Sequence, residues 1–404
     1  MPARFIDRLE CDGTLGITSG KKILIIAGEA SGDLHGSHLV KELLSLDQSL
    51  QFYGVGGKKM ENEGVELIAD SKEMAVVGIT EVLLKLKGIY LIYRKLKNSL
   101  TANSPSLVIL IDYPDFNLRF AREAKKKNIP IVYYISPQIW AWRKGRIKKI
   151  GRLIKKMIVI FPFEKKIYEE ANIDVDFVGH PLLDSIRSQF SREEAFQKFS
   201  LTSGVTTIGL LPGSRMNEVK RHLHPMLEAI PLISKQINPV QFIIPVAPGL
   251  DWGEVQNLVG SGKHENIRVV ENNIYDVMRI SDVVIVASGT ATVEAAIMGA
   301  PMIVVYRVSP LTYLLGKLLI KVKNIGMVNI IAGKTVVPEL IQKDVTPEKI
   351  ASAVLQILEN PSKQEEIKKE LSSLKEKIGN PGASFRAAQI IISLLQRYAH
   401  NGKL

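Results

Sequence analysis

SDVVIVASGTATVEAAIMGAPMIVVYRVSP, residues 281–310, has the order of a strand, a short polar turn, a helix and a second strand. Val283 to Ala287 are apolar and mostly β-branched, which is typical of a parallel strand buried on both faces. The turn residues Ser288, Gly289 and Thr290 are small and include two candidate helix caps. Because unpaired backbone N–H groups and the positive end of the helix dipole meet there, the turn suits a phosphate or diphosphate. Glu294, one turn into the helix, can then accept hydrogen bonds from a ribose. An ordinary strand-helix-strand unit with a good cap is the alternative.

The same order of elements recurs at the start of the chain. A short apolar run, KKILIIA (21–27), is followed by GEASGDLHG and then by helical apolar spacing, which predicts the first unit of a doubly wound sheet. The glycine spacing does not match a dinucleotide fingerprint, so NAD is not implied. Glu29 and Asp33 fall at the carboxyl end of the strand, the edge at which open α/β sheets bind ligands. Turn glycines with a helix-start Asp are the plainer interpretation.

Two carboxylates follow another predicted strand. The predicted strand LVILI (107–111) is followed by Asp112 and Asp115. Pro114, between them, cannot lie in a helix interior or a central strand, so we expect a loop there. Carboxylates emerging together in a crevice loop are candidates for a general base.

The second half of the chain repeats the architecture. Thr207 to Leu211 form a strand that runs into Pro212, and Gly213, Ser214 and Arg215 follow before the next helix. An arginine beside a glycine turn is a plausible clamp for a diphosphate, because its planar guanidinium offers several donors at once.

These patterns predict an α/β fold of two doubly wound, Rossmann-like halves in series. We expect residues 1–20 to be a poorly ordered extension, 21–184 the first domain and 185–380 the second. Residues 381–404 have the pattern of an amphipathic helix long enough to reach back to the first half.

Composition narrows the class of protein. The chain has 404 residues, one cysteine and a net charge of +12. A single cysteine excludes a disulfide framework and favours a reducing compartment. No apolar run is long enough for a membrane span, and the N-terminal segment has no signal-peptide pattern, so we expect a cytoplasmic protein. The positive charge favours phosphorylated ligands or an anionic membrane surface, whereas motifs typical of nucleic-acid binding are lacking.

Two segments combine apolar and basic residues. Residues 74–100 interleave aliphatic side chains with lysines and arginine, which favours a segment lying in a bilayer interface. Trp140, Trp142 and Arg143 begin a strongly basic stretch that could hold a phosphorylated amphiphile. Ordinary core-facing or exposed basic helices are the alternatives.

Seven motifs together resemble the lipid A disaccharide synthase family of GT-B glycosyltransferases (family 19), from about Lys21 to the C-terminus. They are AGEASGD (27–33), IDYPDFN (111–117), SPQIWAWR (136–143), FPFE (161–164), VGHP (178–181), LLPGSR (210–215) and SGTATVE (288–294). SPQIWAWR and the spacing of the whole set are specific to that enzyme. LLPGSR and SGTATVE alone would indicate only the wider GT-B group.

The resemblance implies an inverting transfer of 2,3-diacylglucosamine from its UDP carrier to the 6-hydroxyl of 2,3-diacylglucosamine 1-phosphate. The products would be a β-1,6 disaccharide and UDP, made at the inner face of the cytoplasmic membrane without a metal or other cofactor. Asp112 is then expected to be the base, with Asp115 as the alternative and Glu29 positioning a sugar. We expect the substrates to contact Gly213, Ser214, Arg215, Ser288, Gly289, Thr290, Glu294, Asn329, His180, Trp140, Trp142 and Arg143.

Two other functions remain open at this point. A UDP-N-acetylglucosamine 2-epimerase shares the architecture, and a non-catalytic membrane protein that binds nucleotide sugars would share the basic, apolar surface. The oligomeric state is left open.

Overall fold

Each half of the chain is built on a parallel β-sheet. The computed structural model describes residues 21–74, 79–137, 144–260, 266–309, 313 and 324–400. Within them the first sheet has the strand order β3-β2-β1-β4-β5-β6-β7. Its strands are β1 (Lys22–Ala27), β2 (Gln51–Gly56), β3 (Glu66–Asp70), β4 (Leu107–Ile111), β5 (Ile131–Tyr134), β6 (Lys156–Val159) and β7 (Val175–Phe177).

The second sheet has the order β10-β9-β8-β11-β12-β13. Its strands are β8 (Thr206–Leu211), β9 (Val240–Val246), β10 (Ile267–Glu271), β11 (Val283–Ala287), β12 (Met302–Tyr306) and β13 (Glu339–Ile341). Every strand pair in both sheets is parallel. Parallel strands need crossover connections, and the helices supply them.

The helices of the first half are α1 (Ala30–Leu46), α2 (Lys58–Asn62), α3 (Ser71–Met74), α4 (Ile79–Ala102), α5 (Pro114–Lys126), α6 (Ile147–Gly151), α7 (Pro162–Glu169) and α8 (Leu182–Ser185). The second half contains α9 (Arg192–Lys198), α10 (Met216–Gln236), α11 (Trp252–Val259), α12 (Ile274–Ile280), α13 (Thr290–Ile297), α14 (Met327–Ala332), α15 (Pro347–Leu358) and α16 (Pro361–Lys377). The last helix is α17 (Ala383–His400). None of the helices in the described ranges is both long and apolar enough to cross a membrane.

The central strands are buried because they carry no polar side chain. All five residues of β4 are fully buried, and so are Val283 to Val286 of β11. A continuous cluster of buried apolar residues joins one face of the first sheet to the core of the second half. The other face of the first sheet has a separate core, which α4 and α5 cover.

The strand order places two switch points at the centre of the molecule. In the first sheet the direction of winding reverses between β1 and β4, and in the second between β8 and β11. Ligands of open α/β sheets bind outside the carboxyl ends of the strands at such points. Glu29 and Asp112 follow β1 and β4, whereas Arg215 and Ser288 follow β8 and β11.

The final helix returns to the first half. α17 packs against α1. Two charged side chains form hydrogen bonds with the backbone around the start of α17. Asp184 accepts hydrogen bonds from the backbone N–H groups of Gly382 and Ser384. Arg386 donates to the backbone oxygens of Val178 at 2.6 Å and Asn380 at 2.6 Å.

Candidate active site

The loop after β4 has an unusual backbone. Asp112 and Tyr113 both adopt left-handed conformations, with φ of 42° and 46°. Such conformations cost about 1–3 kcal/mol each for residues other than glycine, and they persist only where the surroundings hold them. The loop turns the side chain of Asp112 toward the second half of the chain, and α5 begins directly afterwards.

Asp112 lies in a poorly solvated and negatively charged environment. Burial, and then the charge of Glu29, raise the pKa of its carboxyl to about 7, while the backbone N–H of Tyr113 acts in the opposite direction. A carboxylate with a pKa near neutrality is well matched to accept a proton from a sugar hydroxyl.

A cavity of about 80 Å³ lies between the two halves. The first half contributes Asp112, Ser31, His35 and His180, with Gly32 and apolar neighbours between them. Its opposite wall includes Thr290, at the first turn of α13, and Met327, at the start of α14. Asp112 therefore faces the N-terminal end of α13 across a shared space.

An ion pair joins the two halves beside this cavity. Arg215 Nη2 lies 3.8 Å from Glu29 Oε2, and Nη1 lies 3.2 Å from Glu218 Oε1 in the same half. Arg215 is about half exposed, so its guanidinium is accessible to an anionic ligand entering between the halves.

The turn after β8 is held by its own helix and by a histidine. The backbone N–H of Ser214 donates to Glu218 Oε2 at 3.2 Å. Gly213 has φ of 134°, and a Cβ there would lie 2.6 Å from the Cβ of Glu218. His222 donates from Nδ1 to Pro212 O and accepts at Nε2 from Arg307 N, both at 2.9 Å.

The turn after β11 is ordered by local contacts. Ser288 Oγ donates to Ile325 O at 3.3 Å, and Thr292 Oγ1 donates to Gly289 O at 2.8 Å. Glu294 accepts a hydrogen bond from the hydroxyl of Tyr275 at 3.1 Å, and burial raises the pKa of its carboxyl. Tyr275 is a partner that sequence reasoning missed.

Two buried histidines line the cavity on the side of the first half. The backbone N–H of Leu182 donates to His180 Nδ1 at 3.2 Å, which leaves the proton on Nε2. The His35 ring lies 6.5 Å from the His180 ring, and among the described residues its buried Nδ1 has no hydrogen-bond partner. Burial lowers the pKa of His35 to about 4 and that of His180 to about 3, so both rings are neutral at neutral pH.

His35 was missed although the sequence carried a signal. Ser31 and His35 are four residues apart in α1 and therefore lie on one face of the helix. Both line the cavity. The carboxylate of Asp33 points elsewhere and caps α2, because it accepts hydrogen bonds from the backbone N–H groups of Gly57, Lys59 and Met60.

The geometry disfavours two predicted site residues. Asp115 is exposed on the first turn of α5 and pairs with Arg146 at 2.9 Å, outside the cavity that Asp112 lines. Asn329 is fully buried, and its side chain already makes four hydrogen bonds to Val336, Val337 and Glu339. Four bonds use the full hydrogen-bonding capacity of a side-chain amide, so in this structure Asn329 fixes the loop between α14 and β13. Its contact with a substrate stays a prediction.

Trp140, Trp142 and Arg143 lie outside the described residues. Within the described part of the chain, no group of three or more His, Cys, Asp and Glu side chains has a metal-binding arrangement.

Comparison with known proteins gives consistent results. The sequence model of the lipid-A-disaccharide synthetase family matches residues 23–392. A lipid-A-disaccharide synthase of Syntrophus aciditrophicus is 49% identical over 379 residues, which cover 94% of this chain and 99% of that protein.

Solved structures share the architecture at low sequence identity. The glycosyltransferase of kitacinnamycin superposes with a TM-score of 0.63 at 14% identity, covering 93% of this chain and 99% of that one. A UDP-N-acetylglucosamine 2-epimerase from Neisseria meningitidis, bound to its UDP-sugar, has a TM-score of 0.60 at 14% identity and covers 93% and 100%. At this identity the likeness shows the fold alone, and the predicted GT-B architecture of two parallel-sheet α/β domains is confirmed.

Proposed function

The chain belongs to the lipid-A-disaccharide synthetase family, and on that premise we propose that it transfers 2,3-diacylglucosamine from UDP to the 6-hydroxyl of 2,3-diacylglucosamine 1-phosphate. The products are the β-1,6 disaccharide 1-phosphate and UDP. The observation that supports this most directly is the shared cavity, which Asp112 lines from one half and Thr290 from the other. An acceptor-side carboxylate and a helix N-terminus on opposite walls are what an inverting displacement requires.

In this mechanism Asp112 accepts the proton of the acceptor 6-hydroxyl. The oxygen attacks C1 of the donor sugar from the side opposite UDP, and the bond from C1 to the β-phosphate oxygen breaks. The electron pair leaves with UDP, and the configuration at C1 inverts. The raised pKa of Asp112 keeps the carboxylate basic enough for this transfer at neutral pH.

The donor's diphosphate is assigned to the second half. The N-terminal end of α13, with Ser288, Gly289 and Thr290, offers backbone N–H groups and a positive dipole end. Arg215, beside the Gly213–Ser214 turn, adds a guanidinium that can bind two oxygens at once. Both features oppose the negative charge that develops on departing UDP. Glu294, held by Tyr275, is the proposed ribose contact.

The acceptor is assigned to the first half. His180 presents a neutral Nε2–H at the cavity wall, which is a hydrogen-bond donor for a sugar oxygen near Asp112. Glu29 stands between Asp112 and Arg215 and is proposed to position the sugars there.

We also place the protein on the inner face of the cytoplasmic membrane. On α4, Ile92, Leu96 and Leu100 face the core, whereas Leu86, Tyr90 and Leu91 are among the exposed large apolar side chains. Lys87, Arg94 and Lys95 are exposed beside them. Apolar side chains flanked by cations suit the interface of an anionic membrane, which is where diacylated substrates reside.

An assay with the purified protein and both acylated sugars tests the proposal. We expect disaccharide and UDP in equal amounts, with β configuration at the new linkage. An acceptor lacking the 6-hydroxyl is the matched control and should release no UDP above hydrolysis. Conversion of UDP-N-acetylglucosamine to its C2 epimer, without disaccharide formation, would overturn the assignment.

A further inference from the structure

Two buried side chains hold the backbone of the loop that carries Asp112. Tyr133, on β5, donates its hydroxyl hydrogen to the backbone oxygen of Asp112. The side-chain amide of Asn117, on α5, donates to the same oxygen at 2.8 Å and to Ile111 O at 3.1 Å. Tyr133 and Asn117 are both fully buried.

The next residue of the loop, Tyr113, is anchored as well. Its hydroxyl donates to Met74 O at 2.8 Å, and its ring lies against Gly28, where a Cβ would approach Tyr113 Cδ1 to 2.4 Å. The left-handed conformations of Asp112 and Tyr113 are thus fixed from β5, from α5 and from the turn after β1.

We propose that Tyr133 and Asn117 are positioning residues that direct the carboxylate of Asp112 into the cavity by holding its backbone oxygen. The inference rests on the proposed function, which makes Asp112 the base. Neither side chain lines the cavity, so they act through the main chain and do not contact a substrate. With both donors on one carbonyl, the peptide plane after Asp112 cannot rotate, and the direction of its side chain is set.

The protonation state of Tyr133 is consistent with its role as a hydrogen-bond donor to Asp112 O. Burial, and then the charge of Asp112, raise the pKa of Tyr133 well above its ordinary value. Its hydroxyl therefore remains a donor throughout the pH range in which an enzyme assay is possible.

The neighbouring tyrosine provides a matched control. Tyr134 is fully buried on the same strand, but it belongs to the core on the other face of the sheet. Tyr133→Phe and Tyr134→Phe each remove one buried hydroxyl from β5, and only the first releases the loop.

The test compares the two variants in turnover, UDP binding and pH dependence. We expect Tyr133→Phe to lower kcat roughly 10–100-fold, while UDP affinity and the KM for the donor stay within about twofold. The acidic limb of its pH profile should move toward lower pH, because a freed carboxylate is better solvated. Tyr134→Phe should leave kcat and the pH profile unchanged.

A second variant, Asn117→Leu, tests the same role in case Tyr133→Phe does not fold. Asn117→Leu keeps the size of the side chain and removes the donor, and it should also lower kcat and shift the pH profile. Folded variants at positions 133 and 117 with normal turnover and an unshifted profile would refute the positioning role. Normal turnover in Asp112→Asn would instead remove Asp112 as the base, so the two failures are distinguishable.

Discussion

Arg215 of the second half and Glu29 of the first half form an ion pair, with Nη2 and Oε2 3.8 Å apart. Glu29 also raises the pKa of Asp112, so a residue assigned to the donor's diphosphate is linked through one carboxylate to the proposed base. We expect that a diphosphate bound by the guanidinium leaves the charge of Glu29 less compensated, which would raise the pKa of Asp112 further. Binding of the donor would then prepare the acceptor side for proton transfer.

This link can be tested with two carboxylates that contact the same arginine. Glu29→Gln should move the acidic limb of the pH profile toward lower pH, because it removes a like charge near Asp112. Glu218→Gln also removes a partner of Arg215 but should leave the limb in place. The measurement is kcat/KM for the acceptor between pH 5 and 9, and equal shifts in both variants would contradict the link.

Replacing the base should abolish most of the activity. Asp112→Asn is expected to lower kcat roughly 10²–10⁴-fold with little change in UDP affinity. In the wild-type protein, kcat/KM should rise with pH and level off above about 7, where Asp112 is deprotonated. Asp115→Asn, three residues away and exposed, is the control, and it should retain turnover within about threefold.

Asp112→Asn should also stabilise the folded state, by an amount that depends on pH. The pKa of Asp112 is about 7 in the folded chain against 3.8 as its ordinary value. Between these values the folded state binds more protons than the unfolded state, so the contribution of Asp112 to stability falls as the pH rises from about 4 to about 7. Asp112→Asn should therefore have a larger free energy of unfolding than the wild type at pH 8 and an equal one at pH 4, by urea denaturation. A gain independent of pH would argue against this origin.

Gly28 leaves the space that the Tyr113 ring occupies, because a side chain at position 28 would collide with it. Gly28→Ala places a Cβ 2.4 Å from Tyr113 Cδ1, and such overpacking typically costs about 1–3 kcal/mol. The displaced ring also disturbs Asp112, so turnover should fall with stability. For Gly88, inside α4, no atom of the described residues lies within 4 Å of an added Cβ, and Gly88→Ala should raise the free energy of unfolding by about 0.5–1 kcal/mol.

The proposed membrane-binding surface of α4 can be compared with an apolar pair elsewhere that is slightly less exposed. Leu86 and Leu91 are 49% and 48% exposed, whereas Leu232 and Leu258 in the second half are each 40% exposed. Leu86→Ser with Leu91→Ser should reduce recovery on anionic vesicles several-fold, since each leucine contributes about 1.5–3 kcal/mol when buried. Leu232→Ser with Leu258→Ser should bind the vesicles as the wild type does. Equal losses of vesicle binding in the two double variants would contradict a membrane-binding role for α4.

Buried apolar runs made the architecture predictable from the sequence. β4 and β11 consist only of apolar residues, and both were predicted with their exact bounds. β3, β7 and β13 were not identified, because these three edge strands are short and half exposed and so lack a continuous apolar run. The order of the strands within each sheet could not be deduced from the sequence either, so the switch points could not be located.

The position of a candidate site residue was predictable where that residue closely follows a strand, as Asp112 follows β4 and Arg215 follows β8. The roles of both residues stay predictions. Asn329 was predicted to contact the donor, and that stays a prediction, whereas its hydrogen-bond partners Val336, Val337 and Glu339 become visible only in three dimensions. Asp115 is separated from Asp112 by the start of α5, which turns it outward. A two-residue left-handed segment at Asp112 has no signature in the sequence.

The cavity that Asp112 and Thr290 share has a volume of about 80 Å³, whereas pockets for small molecules usually measure about 300–1,000 Å³. This cavity is too small for the proposed donor, so we expect the halves to move apart when the donor binds. The Arg215–Glu29 bridge is solvent-exposed, and such bridges contribute at most about 1 kcal/mol, so this contact is a weak latch that thermal motion opens readily. We therefore expect each catalytic cycle to include one separation of the halves that admits substrates and another that releases UDP, and the rate of that motion to set an upper limit on turnover.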